Sequence, residues 1–432
     1  MNKSLFLALF LSMTMQVFAS IDTIAVDVGI SVFKTMPIGV VPFSEPSGTT
    51  LDWPDEKPHE VAERDLNLSG RFDVISVPKF DLVKLSRARA KFYVTGKIEK
   101  ALNNKIKIDF YLYATQSKDL VLGESYTVSL IDSRKAVHDF IDKVIYNLWG
   151  VHGIASTKLA WVSKIDGVKQ IMVADYDGFH RRQLTFDSTI SMMPAWSPDN
   201  ERIIFVSFRN NKPQLYIKDV ATGTQKRLFK KFEQTFSPAV NPKTGEILFS
   251  AIIDGKTDLY VGDPETQKTR RISFLKSSQT SPSWSPNLSE IIFTSDRGGS
   301  PQIYVMNSDG SDMRRMTFMG RYNERASWAP TGDRIVYTSM DDGKMNIYTC
   351  AIDGSDIIQL TSNSGNNERP SWSPDGSLIA FSSDRTGSHQ IYIMRRDGSN
   401  VTRITKGGEN TAPTWSWYPI EKQVKHNKEG KQ

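Results

Sequence analysis

Short apolar runs recur along residues 158–419 at a spacing of 44 residues. In each repeat, a run of β-branched and aromatic residues contains one aromatic side chain at a fixed place and is bounded by turn residues, which predicts a β-strand. The six aromatic residues are Trp161, Phe205, Phe249, Phe293, Tyr337 and Phe381. A self-similar unit of roughly 40–45 residues built from short strands is typical of a β-propeller blade.

Three further landmarks share this spacing and complete a predicted blade of four antiparallel strands, A to D. Strand A carries Trp-Ser-Pro or a derivative of it, strand B the aromatic residue, strand C mostly an apolar residue followed by Tyr, and strand D mostly Leu-Thr or a similar pair. Asp-Gly pairs such as Asp309-Gly310 fall between strands C and D, where a tight hairpin needs a positive φ. We therefore predict an all-β propeller of six blades.

The two ends of the repeat region are complementary. The first strand B begins near Lys158 with no Trp-Ser-Pro before it, whereas Trp415 has no strand B after it. We expect the C-terminal strand to complete the first blade and close the ring, because closure removes the open sheet edges that promote aggregation.

Residues 37–150 lack the repeat and predict an α/β domain. Strands are expected at residues 37–43, 72–75, 93–98, 106–114 and 120–128, and helices at residues 59–68 and after Asp132-Ser133. The apolar residues from Val137 to Leu148 recur at helical spacing and form one continuous face. Such a mixture of strands and helices predicts helices packed on a sheet.

The remaining segments are short. Residues 1–19 predict a signal peptide, because Lys3 precedes an apolar stretch and a small residue, Ala19, ends a cleavage-like sequence. Residues 20–36 are a predicted N-terminal arm whose alternating pattern fits either a strand of its own domain or a segment that adds to a partner's sheet. Residues 151–157 are a predicted linker, and residues 420–432 a predicted disordered polar tail.

Composition bounds the environment and the partners. The 432 residues carry a net charge of +6, with basic residues dispersed among acidic ones, so we predict no nucleic-acid partner. No apolar stretch after the leader approaches 18 residues, and we expect no membrane span. The single cysteine, Cys350, lies in a predicted strand C and is expected to be a small buried hydrophobe.

Sequence motifs for catalysis and metal binding are absent. None of the six histidines is paired at metal-ligand spacing, and HExxH, P-loop, GxGxxG and GxSxG sequences do not occur. The Asp-Gly-Ser-Asp runs at Asp309 and Asp353 lack the downstream glutamate of a calcium loop, so hairpin turns are the better interpretation. We predict no catalytic residue, no cofactor and no metal site.

The loops from strand D to the next strand A vary most among the repeats. They are expected to gather around one mouth of the central channel, where a rigid scaffold presents binding residues. The candidate partner-binding residues in these loops are Glu233, Gln234, Thr235, Gln279, Thr280, Asn323, Glu324, Arg325, Asn367, Glu368, Arg369, Glu409, Asn410 and Thr411. Asn-Glu-Arg occurs twice, 44 residues apart, which also fits a structural role between blades.

The best-preserved repeat carries a resemblance to a known family. Trp372-Ser-Pro-Asp-Gly376, Ile379 to Arg385, Ile391 to Met394 and Asp397-Gly398 resemble the TolB-type propeller repeat. Together with the leader, the segment Pro37 to Phe43, an α/β domain and six blades, nearly the whole chain is similar to the TolB family.

That resemblance implies a periplasmic, non-enzymatic component of the Tol–Pal system. It implies that the propeller mouth binds the peptidoglycan-associated lipoprotein Pal and that the N-terminal arm binds TolA, with other outer-membrane lipoproteins as further possible partners. The arm residues to which this role would fall are Ile21, Ile24, Val26, Val28 and Ile30. The implied function is an adaptor for outer-membrane integrity and for constriction during cell division.

Two other functions fit a propeller. One is a lyase or hydrolase with a site in the channel, which would require a convergent His/Asp/Glu cluster there. The other is a carbohydrate-binding propeller, but most aromatic residues recur in phase and are better interpreted as blade core.

Overall fold

The computed structural model of the protein describes residues 35–46 and 51–419. The predicted signal peptide, the arm up to residue 34 and the predicted tail lie outside these ranges. The described chain forms a five-stranded mixed sheet with helices, followed by a ring of six four-stranded sheets. The predicted combination of an α/β region and a six-bladed propeller is therefore confirmed.

The α/β region is built on one sheet with the strand order β2-β1-β3-β4-β5. Strand β1 is parallel to both of its neighbours, whereas β3, β4 and β5 are antiparallel. The elements are β1 (Met36–Val40), α1 (Pro58–Leu68), β2 (Phe72–Ser76), α2 (Leu82–Arg87), β3 (Phe92–Lys100), β4 (Lys105–Ala114), β5 (Leu120–Ser129), a 3-10 turn (Leu130–Asp132) and α3 (Ser133–Trp149).

Helix α3 provides much of the core of this region. Its apolar residues Val137, Phe140, Ile141 and Val144 are fully buried against the alternating apolar residues of β4, as the helical spacing predicts. The short helix α2 was not predicted. It has six residues, of which only Leu85 is buried, so it is too short to show a helical period.

The ring has six blades, each with strand A innermost and strand D outermost. Blade 1 consists of β29 (Asn410–Trp415), β6 (Lys158–Ile165), β7 (Val168–Asp175) and β8 (Arg182–Gln183). Blade 2 consists of β9 (Ser191–Trp196), β10 (Arg202–Ser207), β11 (Gln214–Asp219) and β12 (Gln225–Arg227). Blade 3 consists of β13 (Gln234–Val240), β14 (Ile247–Ile253), β15 (Lys256–Gly262) and β16 (Thr269–Arg271).

The remaining blades repeat the arrangement. Blade 4 consists of β17 (Gln279–Trp284), β18 (Glu290–Ser295), β19 (Gln302–Asn307) and β20 (Arg314–Arg315). Blade 5 consists of β21 (Tyr322–Trp328), β22 (Arg334–Asp341), β23 (Lys344–Ala351) and β24 (Ile358–Gln359). Blade 6 consists of β25 (Asn367–Trp372), β26 (Leu378–Ser383), β27 (Gln390–Arg395) and β28 (Thr402–Arg403).

The ring closes through β29, as predicted from the phase of the repeats. Strand β29 pairs antiparallel with β6, so the end of the propeller completes the blade with which the propeller begins. The indole of Trp161 donates to Asn410 Oδ1 at 2.8 Å, and that of Trp415 donates to Thr157 Oγ1 at 2.8 Å. Two buried hydrogen bonds therefore join residues about 250 positions apart.

The α/β region packs on one face of the ring. It contacts the turn between strands C and D of blade 1 and the turn between strands A and B of blade 6: Tyr176 OH donates to Asp65 of α1 at 2.8 Å, and Arg71 pairs with Asp375 at 3.1 Å. Since the strands of a blade are antiparallel, the connections from D to A lie at the opposite ends of the strands. They form the face that points away from the α/β region.

Candidate functional site

The predicted mouth residues lie mostly in strands rather than in loops. Twelve of the fourteen belong to the first residues of the innermost strands β13, β17, β21, β25 and β29, and only Glu233 and Glu409 precede a strand. The expectation that they form loops was therefore wrong. The connections from D to A are short, and strand A begins with polar residues, among them Asn367 and Asn410, whose residue type is also common in turns. The start of strand A therefore looks like a continuation of the loop.

Five of the predicted residues are buried and share one phase. Thr235, Gln279, Asn323, Asn367 and Asn410 are at most 4% exposed, and Ser191 occupies the corresponding place in blade 2. Asn323 Nδ2 donates to Gln302 Oε1 at 2.8 Å, and Asn410 Nδ2 donates to Gln390 Oε1 at 3.1 Å. These hydrogen bonds connect strand A of one blade to strand C of the neighbouring blade, which is the structural role between blades that the periodicity indicated.

The other predicted residues keep exposed surface. Glu233 pairs with Lys212, Glu409 lies 3.9 Å from Lys164, and Glu368 lies 3.9 Å from His389. Partly exposed as well are Gln234, Thr280, Glu324, Arg325, Arg369 and Thr411. Their role in partner binding stays a prediction.

Each innermost strand contains a bulge that was not predicted. In each blade the pairing of strands A and B shifts by one residue, and a non-glycine residue adopts a left-handed backbone with φ between +50° and +57°. These bulge residues are Met193, Ser237, Ser281, Arg325, Arg369 and Ala412. Their side chains are of no common type, but the next residue is proline in five of the six blades, and proline within a sheet is confined to edges and bulges. The following residues are Pro194, Pro238, Pro282, Ala326, Pro370 and Pro413.

The bulge residues line a cavity of about 430 Å³ along the axis of the ring. Its wall is otherwise made of proline, serine and alanine next to the bulges and of the Trp-Ser-Pro tryptophans further along strand A. Among the described residues that line it, Arg325 and Arg369 are the only charged ones. They come from the adjacent blades 5 and 6, so the positive charge lies on one side of the channel.

Carboxylates stand near these arginines without neutralising them fully. Tyr322 OH donates to Glu324 at 2.9 Å, and burial together with this carboxylate raises the pKa of Tyr322 to about 12. Arg325 Nε lies 3.4 Å from Glu324, but this nitrogen is buried without a hydrogen bond. Burial lowers the pKa of Arg369 to about 10, and the positive charge of Arg325 acts in the same direction.

Large apolar side chains are exposed on the same face. Phe186, Phe274 and Phe318 each lie three residues after the end of strand D, at in-phase positions, and are 73–75% exposed. Met319, next to Phe318, is 69% exposed. We call these four residues the phenylalanine rim. Arg271 lies over Phe274 with its guanidinium 4.6 Å from the ring centroid.

The phenylalanine rim was not predicted, although the sequence contains a signal for it: an aromatic residue at a repeat position that is polar in the other blades. The corresponding positions in the other repeats are Lys230, Ser362 and Lys406, as expected for a solvent-exposed turn. An aromatic residue at such a position has no blade core to fill. Exposed apolar patches bordered by polar residues mark interaction sites.

Models of known protein families show to which family this chain is related. The model described as the TolB beta propeller domain matches residues 146–346 and 338–430, which together exceed half of the chain, and the TolB amino-terminal domain model matches residues 24–121. The chain belongs to the TolB family.

Similar proteins agree with this assignment to the TolB family. The chain is 30% identical to the Tol-Pal system protein TolB of Coxiella burnetii over 239 residues, which cover 51% of this chain and 54% of the relative. It is 29% identical to the protein of the same name from Acinetobacter baylyi over 203 residues, 44% of this chain and 46% of the relative. The chain thus spans about half the length of the curated relatives that it matches.

The fold agrees over a longer range. The crystal structure of TolB from Acinetobacter baumannii is similar with a TM-score of 0.75 and 26% identity, and the match covers 89% of this chain and 97% of that chain. In the described ranges of this TolB-family chain, no helix has both the length and the apolar character that crossing a membrane requires.

A separate buried cluster lies where the α/β region meets blade 1. Among the described residues, Asp65, His138 and Asp177 are the only group of three whose potential metal ligands all come within 4.8 Å of one another. Cations of the protein already pair with both carboxylates, because His138 Nδ1 lies 2.7 Å from Asp65 and Arg134 pairs with Asp177. The arrangement is therefore an ion-pair network that joins the two parts of the chain.

Proposed function

We propose that this TolB-family protein is a periplasmic adaptor that binds a protein at the propeller mouth. The proposed partner there is a peptidoglycan-associated lipoprotein, and a TolA-type inner-membrane protein is the proposed partner of the N-terminal arm. Through these contacts the protein would support outer-membrane integrity and constriction during division. The assignment to the TolB family and the names of the similar proteins support this proposal.

The phenylalanine rim is the observation that carries the proposal. Three exposed aromatic side chains stand on the face opposite the α/β region, in connections that lead from strand D to the innermost strand of the next blade. Aromatic side chains are enriched among the residues that dominate the energy of protein interfaces. A soluble monomer gains nothing from exposing them.

Binding is favoured over catalysis by the composition of the channel. Acid–base chemistry needs a histidine or carboxylate close to the reacting group. The described residues that line the cavity include neither. This supports a docking role for the mouth rather than a lyase or hydrolase site.

The rim can be tested by truncation. The double variant Phe274→Ala/Phe318→Ala should weaken the affinity for purified peptidoglycan-associated lipoprotein by about tenfold or more, because removal of a central aromatic residue from an interface costs on the order of 2 kcal/mol. Isothermal titration calorimetry measures the change.

Leu102 provides the matched control for the rim. It is 87% exposed in the turn between β3 and β4, on the α/β region. Leu102→Ala should leave the affinity unchanged. An unaltered dissociation constant for the double variant, or an equal loss for Leu102→Ala, contradicts docking at the rim.

The arm calls for a second experiment. If the arm and the mouth are coupled, deletion of residues 20–34 changes the affinity for the lipoprotein, since two linked sites affect each other reciprocally. Equal dissociation constants with and without these residues would refute the coupling and leave docking at the mouth intact.

A further inference from the structure

Two arginines line the channel at bulge positions where the other blades have neutral residues. The corresponding bulge residues of the other blades are Met193, Ser237, Ser281 and Ala412. A left-handed backbone at a non-glycine residue is unfavourable and persists only where the surrounding structure enforces it. The bulge therefore fixes the direction from which both arginine side chains leave the backbone.

Within the described ranges, the ion pairing of the two arginines is incomplete. Among the residues that the structure describes, the Arg369 side chain has no hydrogen bond and no ion pair, and Arg325 has only the long contact to Glu324. Burial lowers the pKa of Arg369, and the repulsion between the two like charges acts in the same direction. An anion bound between them would relieve this repulsion.

The carboxylates next to the two arginines determine which anion fits best between them. Glu324 and Glu368 flank the pair and lie close enough to act on the charge of Arg369. They reduce the net positive charge, so a single negative charge is accommodated better than the double charge of phosphate. A planar carboxylate also matches the paired N–H groups of a guanidinium.

We propose that Arg325 and Arg369 together bind one carboxylate of the protein that docks at the mouth, supplied by an acidic side chain or by a chain terminus inserted into the channel. This inference rests on the proposed function for the presence of a protein at the mouth. Arg325 is the fourth residue of β21 and Arg369 the third of β25, so both lie near the end of strand A that is on the face of the phenylalanine rim. Among the described residues that line the cavity, they are the only charged ones.

The first test needs no variant. A hexapeptide of glutamate and a hexapeptide of glutamine are titrated against the full chain, with tryptophan fluorescence as the signal because several tryptophans line the cavity. The glutamate peptide should bind at least tenfold more tightly, as hydrogen bonds to charged groups contribute about 1.5–3 kcal/mol. Equal affinity of the two peptides overturns the proposal.

The second test removes the arginines. Arg325→Gln/Arg369→Gln should lower the affinity for the glutamate peptide on the order of tenfold to a hundredfold, whereas Arg325→Lys/Arg369→Lys, which keeps the charge, should lower it less. The control is Arg321→Gln, which removes an exposed arginine just before β21 and should change the affinity less than about twofold. A loss as large in Arg321→Gln as in the double variant contradicts a specific site.

Two further measurements separate the possible sources and the two proposals. If inorganic phosphate displaces the glutamate peptide at equal concentration, the pair is a site for free anions and the polypeptide source is wrong. If the lipoprotein binds the wild type and Arg325→Gln/Arg369→Gln equally, the carboxylate site is refuted and docking stands. If only the glutamate peptide binds, the carboxylate site stands and the proposed partner is wrong.

Discussion

Two features of the structure require glycine at position 310: a positive φ and a close contact with the neighbouring blade. Gly310 adopts φ +95° in the turn between strands C and D of blade 4, and a Cβ atom there would lie 2.1 Å from the carbonyl oxygen of Ile272 in blade 3. The Asp-Gly sequence predicted the turn but not the contact with the next blade. The contact is invisible in the sequence because it depends on how closely neighbouring blades pack.

We predict that Gly310→Ala destabilises the protein more than Gly299→Ala does. Gly299 has φ +97° in the same blade, but a Cβ atom there meets nothing within 4 Å. Both substitutions carry the conformational cost of about 1–2 kcal/mol, and Gly310→Ala adds about 1–3 kcal/mol for the clash between blades. Chemical denaturation of the two variants measures the difference, and equal losses would show that the blades can separate at no cost.

At the scale of single elements, periodic patterns predicted the buried faces of strands and helices. They did not predict ion pairs between residues that are far apart in the sequence. The 44-residue spacing located the blade strands because each blade buries equivalent positions, and the spacing in α3 located its buried face. Asp65 of α1 and His138 of α3 are 73 residues apart. No local pattern links them, so the ion-pair network at blade 1 could not be predicted.

This network makes the contact between α1, α3 and blade 1 dependent on pH. Burial opposes a charge on His138, but Asp65 outweighs it and raises the pKa of His138 above 6.5. The charged, paired histidine therefore stabilises the fold fully below about pH 6.5, and this stabilisation is lost as the pH rises through the raised pKa. Three further groups face the pair: Asp177 favours the charge on His138, Arg134 opposes it, and Tyr176 donates a hydrogen bond to Asp65.

We predict that His138→Gln removes this part of the pH dependence. At pH 6 the variant should be less stable by roughly 3–5 kcal/mol, because it leaves Asp65 buried without its charged partner, and the loss should shrink at higher pH. Urea unfolding from pH 6 upward gives both values. The exposed His152→Gln serves as control, and a loss that stays constant with pH would show that the pair is not ionised.

At the scale of the whole molecule, we expect the closure of the ring by β29 to stabilise the propeller. Deletion of all residues after Thr411 removes most of β29 and exposes the edge of β6. The melting temperature should fall sharply, whereas deletion of residues 420–432 alone should leave it unchanged. Circular dichroism on heating compares the two truncations, and an unchanged melt for the longer one would contradict closure by β29.

At this scale, the bulges and the phenylalanine rim are features that the 44-residue repeat did not predict. The repeat identified residues that all blades need, such as Asn323 and Asn367, and these are buried. The features that distinguish blades, Arg325 and Arg369 inside the channel and Phe274 and Phe318 outside, depart from the repeat. Residues that all repeats share therefore identify the scaffold, whereas the residues of the proposed site occur in only some of the repeats.

The seam between β29 and β6 also has a consequence for the order of events as the chain is made. Trp161 is synthesised about 250 residues before its partner Asn410. Blades 2 to 6 consist of consecutive strands and can assemble as they appear, but blade 1 must wait for the last of its strands. Any machinery that threads this protein across a membrane from its N-terminus delivers an open ring, which closes only after Trp415 has emerged.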